Sequence, residues 1–269
     1  LALFLRSLLA PLVLVCASVL ALAAAMGLGL TGSAFAAGEA HIELPKQEWS
    51  HSGIFGTFDR AALQRGFQVY KEVCSTCHAM SLVSYRNLTA LGFSADEVKA
   101  IAAQYTVMGG PNDAGEMVER PAIPADHFKA PFPNEQAARA ANGGAYPPDL
   151  SLMAKARPGG EDYLYALLTG FEEPPADVKV PDGMYYNKYF PGHLIGMPAI
   201  LQDDSVTYAD NTPATQAQLA HDVSAFLTWA AEPHLEARKQ TGVKVILFLL
   251  VFTGMMYAVK RKVWADAHH

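Results

Sequence analysis

The chain has 269 residues, of which 51% are hydrophobic and 17% are charged, and its formal net charge at pH 7 is −6. Residues 37–236 alone carry 13 Lys and Arg against 25 Asp and Glu, a net charge of −12. So acidic a segment argues against nucleic-acid binding, which depends on Lys and Arg that neutralise phosphates. It would attract a basic partner, although ordinary solubility charge explains the same composition.

The N-terminal segment is typical of a secretory signal. Residues 1–36 carry a single charge, Arg6, followed by an apolar run over 8–30 and a small-x-small triplet that ends at Ala36. We expect a signal peptide over 1–36 that is cleaved after Ala36. Because the apolar run is long for a signal peptide, an uncleaved anchor helix is the alternative.

The next predicted helix leads into a cysteine motif. Asp59 is a typical N-cap residue, and the apolar residues Leu63, Phe67, Tyr70 and Cys74 then recur at i, i+4, i+7 and i+11. We therefore expect one apolar helix face that ends where the cysteine motif begins.

Residues 74–78 read Cys-Ser-Thr-Cys-His, the C-x-x-C-H pattern at which haem c is attached. In this interpretation Cys74 and Cys77 form thioethers with the haem vinyl groups, and His78 is an axial ligand of the iron. The only other cysteine, Cys16, lies in the predicted signal peptide. Removal of the signal peptide also removes Cys16 and leaves Cys74 and Cys77 as two thiols in an oxidising compartment. They would form a disulfide there unless they reacted with something else, and haem attachment is such a reaction.

Two other uses of the motif stay open at this point. A structural zinc site needs four nitrogen or sulfur ligands, commonly from a second cysteine pair, and the chain has 3 cysteines in all. A thioredoxin-like pair needs a βαβ context, whereas a predicted helix precedes Cys74. The motif therefore favours a haem-based redox protein.

The rest of the exported segment is rich in loops. We see no alternation that predicts a large sheet, but two further helices are indicated. One runs from Asp162 to Thr169 and ends at Gly170. The other has a Thr215 and Gln218 capping box and an apolar stripe that stops before Pro233. Pro and Gly clusters interrupt the pattern at 109–111, 131–133, 143–148, 174–175 and 181–183.

Met197 is the candidate sixth ligand of the iron. It follows Gly196, which lets the chain pass close to the macrocycle, and precedes Pro198, which stiffens the loop. A thioether opposite histidine raises the haem potential and closes the iron to other ligands, which suits electron transfer. A methionine that only fills a gap is the alternative. Met80 is too close to His78 to reach the opposite face of the haem, and Met255 and Met256 lie in the apolar C-terminal segment. The other possible ligands outside the signal peptide are Met108, Met117, Met153, Met184, His127, His193 and His221.

An apolar segment near the C-terminus predicts a membrane anchor. Residues 242–259 carry one charge, Lys244, close enough to their end to reach the interface. The basic run 260–262 and Trp264 follow, which predicts a cytoplasmic tail. A buried core helix is the alternative. The predicted organisation is a signal peptide (1–36), a periplasmic cytochrome c domain (37–236), a transmembrane anchor with basic flanks (237–262) and a cytoplasmic tail (263–269).

Several segments, in the same order, resemble the cytochrome c1 family, the haem subunits of quinol:cytochrome c reductase (cytochrome bc) complexes. They are A-R-A-A-N-G-G-A-Y-P-P-D-L-S (138–151), G-G-E-D-Y (159–163), Y-Y-N with Y-F-P-G (185–192) and T-P-A-T (212–215). Together they are far more specific than C-x-x-C-H alone. The resemblance implies a mostly α fold, a class I cytochrome c-like domain with long loops plus one C-terminal transmembrane helix.

The resemblance also implies roles for individual residues. Cys74 and Cys77 would hold one covalently bound haem c. His78 would be the proximal ligand of the iron, and Met197, in a G-M-P-like loop, the distal one.

A second set of residues would surround the haem. Pro148 and Leu150 look like the P-x-L of class I cytochromes, in which the proline carbonyl accepts a hydrogen bond from the proximal histidine and fixes its ring. Arg157 occupies the position expected to face a haem propionate, where a guanidinium binds a carboxylate well. A surface role for Arg157 is the alternative. Tyr163 is expected in the haem pocket, although aromatic core packing explains it as well.

One departure from the family concerns the loop around the axial methionine. Some bacterial members carry an extra disulfide that steadies this loop, and this chain has no cysteines for it beyond Cys74 and Cys77. We expect packing to hold the loop instead, among the Pro and Tyr residues from Pro181 to Pro191.

The function implied by the resemblance is electron transfer in a bacterial inner membrane. The subunit would receive electrons from the Rieske iron–sulfur protein and pass them to a soluble cytochrome c. It would lie beside the cytochrome b subunit and membrane lipid in a dimeric complex, with no catalytic activity on its own. The alternatives are a cytochrome c subunit of another membrane dehydrogenase or oxidase, and a membrane-tethered thiol oxidoreductase.

Overall fold

The structure is a computed structural model that describes residues 42–265. The predicted signal peptide (1–36) and the last residues of the predicted tail (266–269) lie outside the described residues. The α-helices are α1 (Arg60–Glu72), α2 (Ala95–Ala102), α3 (Glu135–Ala141), α4 (Met153–Ala156), α5 (Gly160–Thr169), α6 (Gln216–Ala231) and α7 (Leu235–Val263). Strands β1 (Thr106–Pro111) and β2 (Met117–Pro121) form one hairpin, and β3 (Tyr185–Tyr186) and β4 (Leu194–Ile195) form another.

The helix expected before the cysteine motif is confirmed as α1. The Asp59 side chain accepts hydrogen bonds from the N–H groups of Ala61 and Ala62. These are two of the backbone donors that have no partner within the first turn of a helix. Leu63 and Tyr70 lie on its buried face. The helix ends at Glu72, so the cysteine motif begins after the helix itself.

Helices α1 and α6 cross in direct contact at Gly66. A Cβ atom on Gly66 would overlap the Asp222 carbonyl oxygen and lie 2.7 Å from Phe226 Cβ. The rings of Phe67 and Tyr70 each lie 5.8 Å from the Phe226 ring. Because protein interiors are close-packed, any side chain at Gly66 would push the two helices apart.

A buried ion pair joins the same two helices. Arg65 Nε donates to Asp222 Oδ2 at 2.8 Å and Arg65 Nη2 donates to Asp222 Oδ1 at 3.1 Å, while the Asp222 side chain has no exposed surface. Burial alone would raise the pKa of Asp222, but the nearby His221 imidazole and the hydrogen bonds from Arg65 outweigh it and hold that pKa below its ordinary value. Arg65 Nη1 also donates to the more exposed Asp210 at 2.9 Å.

The other two predicted helices are confirmed with small changes. Helix α5 begins at Gly160 rather than Asp162, because Gly159 takes up φ 88°, a left-handed conformation that glycine adopts readily. Helix α6 follows Thr215, whose hydroxyl accepts from the Gln218 N–H at 3.2 Å. This hydrogen bond is one half of the predicted capping box, and it is the half that the structure contains.

The two hairpins were not expected from the sequence. Strand β1 pairs with β2 from Thr106 opposite Pro121, and the register becomes irregular between Met108 and Pro111. The Gly-Gly-Pro run that interrupts the sequence pattern is therefore accommodated as an irregularity of the ladder. In the second hairpin Tyr186 pairs with Leu194, and this hairpin leads directly into the loop that carries Met197.

Helix α7 confirms the predicted transmembrane helix. It has 29 residues, it is long and apolar enough to cross a membrane, and its most apolar window is not buried within the protein. At a rise of about 1.5 Å per residue it is about 43 Å long. The helix begins at Leu235, which is buried in the domain core, and ends beyond the basic residues 260–262. The domain and its anchor are therefore joined without a flexible linker.

Candidate haem-binding site

The C-x-x-C-H motif lies in a tight turn directly after α1. Cys74–Thr76 forms a 3₁₀ turn, and the N–H groups of Cys77 and His78 donate to the Cys74 carbonyl at 3.2 and 2.9 Å. Cys74 and Cys77 are both free thiols and both half-buried. Helix α1 thus presents the two thiols and the imidazole from one turn.

The His78 ring is oriented by the Pro148 carbonyl, as the P-x-L pattern predicted. His78 Nδ1 lies 2.8 Å from that oxygen. A carbonyl oxygen can only accept, so Nδ1 carries the hydrogen and Nε2 keeps its lone pair. Burial lowers the pKa of His78, and the bond to Pro148 acts in the opposite direction. The net result is a neutral imidazole, the form that binds a metal ion.

Further hydrogen bonds hold the segment after His78 against the segment after Pro148. The Leu150 N–H donates to the Ala79 carbonyl at 2.8 Å. Asp149 accepts from the Ser81 N–H and the Ser151 N–H, each at 2.8 Å. The role of Asp149 was missed by sequence reasoning, although an Asp often bonds the backbone N–H two residues further on in a turn.

The Met197 side chain is half-buried, two residues beyond the end of β4. Its neighbour Gly196 lies against the opposite segment, because a Cβ atom there would be 3.2 Å from Ala145 Cβ and 4.0 Å from Met184 Sδ. Ala145 leads to Pro148, which holds the His78 ring. The segments that carry the two predicted iron ligands therefore both contact the segment from Ala145 to Leu150.

A buried amide fastens the Met197 loop. Asn187 has no exposed surface, and its Nδ2 donates to the Leu167 carbonyl of α5 at 2.8 Å. Its Oδ1 accepts from the N–H groups of Tyr189 and Phe190 at 3.0 and 3.2 Å, and its own N–H donates to the His193 carbonyl at 2.8 Å. Sequence reasoning expected packing by Pro and Tyr residues here and missed Asn187, whose signal was its place in the Y-Y-N motif.

Arg157 and Tyr163 lie together at the junction of α4 and α5. Arg157 follows α4 and is exposed, while Tyr163 is buried in the core beside Leu164. Burial raises the pKa of Tyr163, and the nearby Arg157 charge acts in the opposite direction. The guanidinium is accessible to a carboxylate from outside, and its role toward a haem propionate stays a prediction.

The environment of the thiols does not suit the alternative chemistries. Burial raises the pKa of the Cys74 thiol to about 12, and the neighbouring Cys77 acts in the same direction. A thiol oxidoreductase needs a thiolate near neutral pH, which requires the opposite shift. Among residues 42–265, no group of three or more His, Cys, Asp or Glu side chains could hold a metal ion, so these residues form no four-ligand zinc site.

The same side chains do fit a c-type haem. Two thiols of one C-x-x-C turn, an imidazole with Nε2 available and the thioether of the half-buried Met197 are the kinds of donor that such a group requires. The hydrogen bond from His78 to Pro148 is the contact expected to fix an axial histidine.

Comparisons with known proteins point in one direction. The model of the Cytochrome C1 family matches residues 49–267. Cytochrome c1 of Rhodospirillum rubrum is 52% identical over 263 residues, which cover 92% of this chain and 96% of that protein. Cytochrome c1-2, heme protein, mitochondrial, of Solanum tuberosum is 54% identical over 208 residues, 77% of this chain and 80% of that protein. Cytochrome b/c1 of Bradyrhizobium diazoefficiens is 54% identical over 254 residues, 86% of this chain, but the chain spans only 37% of that longer protein.

Proposed function

Because the chain belongs to the cytochrome c1 family, we propose that it is the haem c electron-transfer subunit of a quinol:cytochrome c reductase (cytochrome bc) complex. The observation that carries this proposal is the His78 to Pro148 hydrogen bond beside the C-x-x-C turn. It supplies an oriented axial ligand at the point where the family attaches its haem.

Each residue of the site has a defined task in this proposal. Cys74 and Cys77 anchor one haem c, which when bound takes up and releases a single electron at its iron. His78 and Met197 would be the two protein ligands of its iron. The Pro148 carbonyl keeps the hydrogen on His78 Nδ1 and so makes Nε2 the ligating atom. Met197 excludes other ligands from the iron, so the site relays electrons and needs no proton-transferring base.

The partners follow from the family and from the charges of the chain. Cytochrome b and the Rieske iron–sulfur protein are the neighbouring subunits, and the name of the Candida albicans relative, "Cytochrome b-c1 complex catalytic subunit, mitochondrial", refers to such a complex. The Rieske protein donates electrons and a soluble cytochrome c accepts them in a dimeric complex. The net charge of −12 over residues 37–236 would steer a basic acceptor to the domain.

The orientation in the membrane follows from α7. Lys260, Arg261 and Lys262 lie in its last turn. Because short cytoplasmic flanks are enriched in Lys and Arg, this end belongs in the cytoplasm of a bacterial cell and the haem domain in the periplasm. As one subunit, the chain has no catalytic activity of its own.

A spectrum of purified membranes, combined with haem staining of a denaturing gel, tests the proposal. We expect a c-type α-band, a haem-stained band at the size of this chain, and co-purification with a b-type haem and an iron–sulfur centre. A variant with both Cys74→Ser and Cys77→Ser should lose the covalent stain. A chain without haem stain, in which Cys74 titrates as a free thiol, would contradict the proposal, and a stained chain without the b-type haem would assign it to another membrane enzyme.

A further inference from the structure

An exposed apolar loop lies beside the N-terminal end of the membrane helix α7. We call residues 52–57 the 52–57 loop. Ile54 is 67% exposed and Phe55 is 83% exposed, although both are large apolar side chains. Solitary exposed apolar residues are common, but two adjacent ones next to a membrane helix form a candidate interaction surface.

The 52–57 loop is fixed onto the first turns of α7. Glu236 accepts from the Phe58 N–H at 2.8 Å and from Arg60 Nη2 at 2.8 Å. Three residues further along the helix, Lys239 Nζ donates to the carbonyl oxygens of His51 and Gly56. The ends of the loop are thus bonded to the helix, so the direction of its apolar tip relative to the helix axis is set.

A cavity of about 370 Å³ separates the loop from the helix. Its walls are mainly apolar, and Lys244 lies at its edge as an exposed side chain that forms no ion pair among the described residues. Glu236 and Lys239 also line the cavity, but Glu236 is paired with Arg60 and Lys239 is bonded to the loop, so Lys244 is the charge left for a ligand. Because the rest of the domain is strongly acidic, an anionic group would be repelled over most of its surface and attracted by Lys244. The cavity is lined by Ile54, Phe55, Thr57, Gln240, Val243 and Lys244, among others.

The depth of this cavity follows from the charge pattern of α7. The helix has no charged residue over 245–259. A hydrocarbon layer needs about 20 helical residues, so a layer centred on that run reaches from about residue 242 to about residue 262. Val243 and Lys244 therefore lie at its outer boundary, and the apolar loop residues that share the cavity with them lie at the boundary between hydrocarbon and headgroups.

From this arrangement we propose that the cavity between the 52–57 loop and α7 binds a phospholipid of the outer leaflet, with a preference for anionic headgroups. The acyl chain packs on Ile54, Phe55 and Val243, as apolar side chains do at the membrane interface. Lys244 reaches the phosphate, because a lysine at this depth extends its ammonium toward the headgroups. The occupant is lipid because Val243 and Lys244, which line the cavity, lie at the outer boundary of the hydrocarbon layer.

Photo-crosslinking in the assembled complex tests this proposal. Phe55 is replaced by the photoreactive amino acid benzoylphenylalanine, and the complex is placed in vesicles of phosphatidylcholine and phosphatidylglycerol. The matched control carries the same replacement at Met117, an exposed apolar residue of the β1–β2 hairpin. Because both side chains are exposed, the haem spectrum should not change in either variant. We expect adducts with the mass of one phospholipid at position 55 and few at position 117.

The products separate lipid from the other occupants. A cross-link from position 55 to another subunit would assign the surface to a protein partner and overturn the proposal. Equal lipid yields at the two positions would overturn it as well. In the position 55 variant, Lys244→Gln should lower the ratio of phosphatidylglycerol to phosphatidylcholine adducts about fivefold, the effect expected of one lysine near an anionic surface. Lys129→Gln, which alters an exposed lysine of the domain, is the control, and an unchanged ratio with Lys244→Gln would remove the anionic preference.

Discussion

The segment that carries His78 and the loop that carries Met197 are held by different means. His78 follows α1 directly, and its ring and its following residues are bonded to Pro148 and Leu150. The Met197 loop is fastened ten residues upstream, where the Asn187 amide is bonded to α5. The difference teaches that the proximal ligand depends on a helix framework, whereas the distal ligand depends on a loop that is held mainly by the hydrogen bonds of one buried side chain, Asn187. The two sides should therefore fail in different ways.

The framework behind His78 should be weakened most by Asp222→Asn. The change leaves Arg65 without its buried carboxylate, and breaking a buried ion pair costs about 4 kcal/mol of unfolding free energy. Denaturant unfolding followed by circular dichroism measures this loss. Asp210→Asn removes the more exposed partner of the same Arg65 and should change stability far less. Equal losses in the two variants would contradict the importance of the buried pair.

The same pair predicts an acid dependence. The pKa of Asp222 is lower in the folded chain than its ordinary value. Its stabilising contribution is therefore complete above the pKa of the unfolded chain, about 3.9, and is lost as the pH falls through the lower folded value. The Asp222→Asn variant should lack this acid component, so its stability deficit should shrink with acidification.

The helix crossing at Gly66 gives the second largest effect. Gly66→Ala places a methyl group against the Asp222 carbonyl and Phe226, so we expect a loss of about 3 kcal/mol. Gly110→Ala is the matched control, because a Cβ there meets no atom within 4 Å. In the Gly66 variant the remaining folded protein should keep its His–Met spectrum, since the Met197 loop is untouched. A variant as stable as the control would show that the crossing tolerates a side chain.

The Met197 loop should respond to Asn187→Ala with a smaller loss of stability and a larger change at the iron. Truncation leaves the carbonyl of the half-buried Leu167 without its donor and removes a fully buried amide, which costs about 2 kcal/mol. The loosened loop should let cyanide bind the ferric haem, which optical titration detects. Asn112→Ala is the matched control. Like Asn187, Asn112 accepts hydrogen bonds from nearby backbone N–H groups, but it lies in the exposed turn of the β1–β2 hairpin. Cyanide binding should therefore stay weak in this variant. Equal cyanide binding in both variants would contradict the role of Asn187.

The difference between the two regions also explains what could be predicted from the sequence. Helix α1 and the His78 contact to Pro148 follow from short-range patterns, a capped apolar stripe and two short motifs, so both were predicted. The roles of Gly66 and Asn187 depend on partners far along the chain, Asp222 and Leu167. A lone glycine in a helix pattern and one amide in a loop give no local sign of such partners.

Element ends and short strands were predicted less well for the same reason. The start of α5 depends on the left-handed conformation of Gly159, where an added Cβ would overlap the Leu44 side chain. The β1–β2 hairpin contains Gly and Pro residues that normally indicate a loop. It is stabilised by antiparallel pairing between its two segments, not by the strand propensity of either one. Such pairings are tertiary information that local propensity does not contain.

The account depends most on Met197 as the distal iron ligand, and a redox titration of the Met197→Leu variant tests it most directly. Met184→Leu is the matched control, since Met184 is also half-buried and lies beside Gly196 in the same loop region. Axial ligands set haem potentials over a span of about 0.8 V, so we expect the midpoint potential of Met197→Leu to fall by a few tenths of a volt. The potential of Met184→Leu should match that of the unaltered protein. An unchanged potential in Met197→Leu, or a fall confined to Met184→Leu, would contradict the assigned iron site.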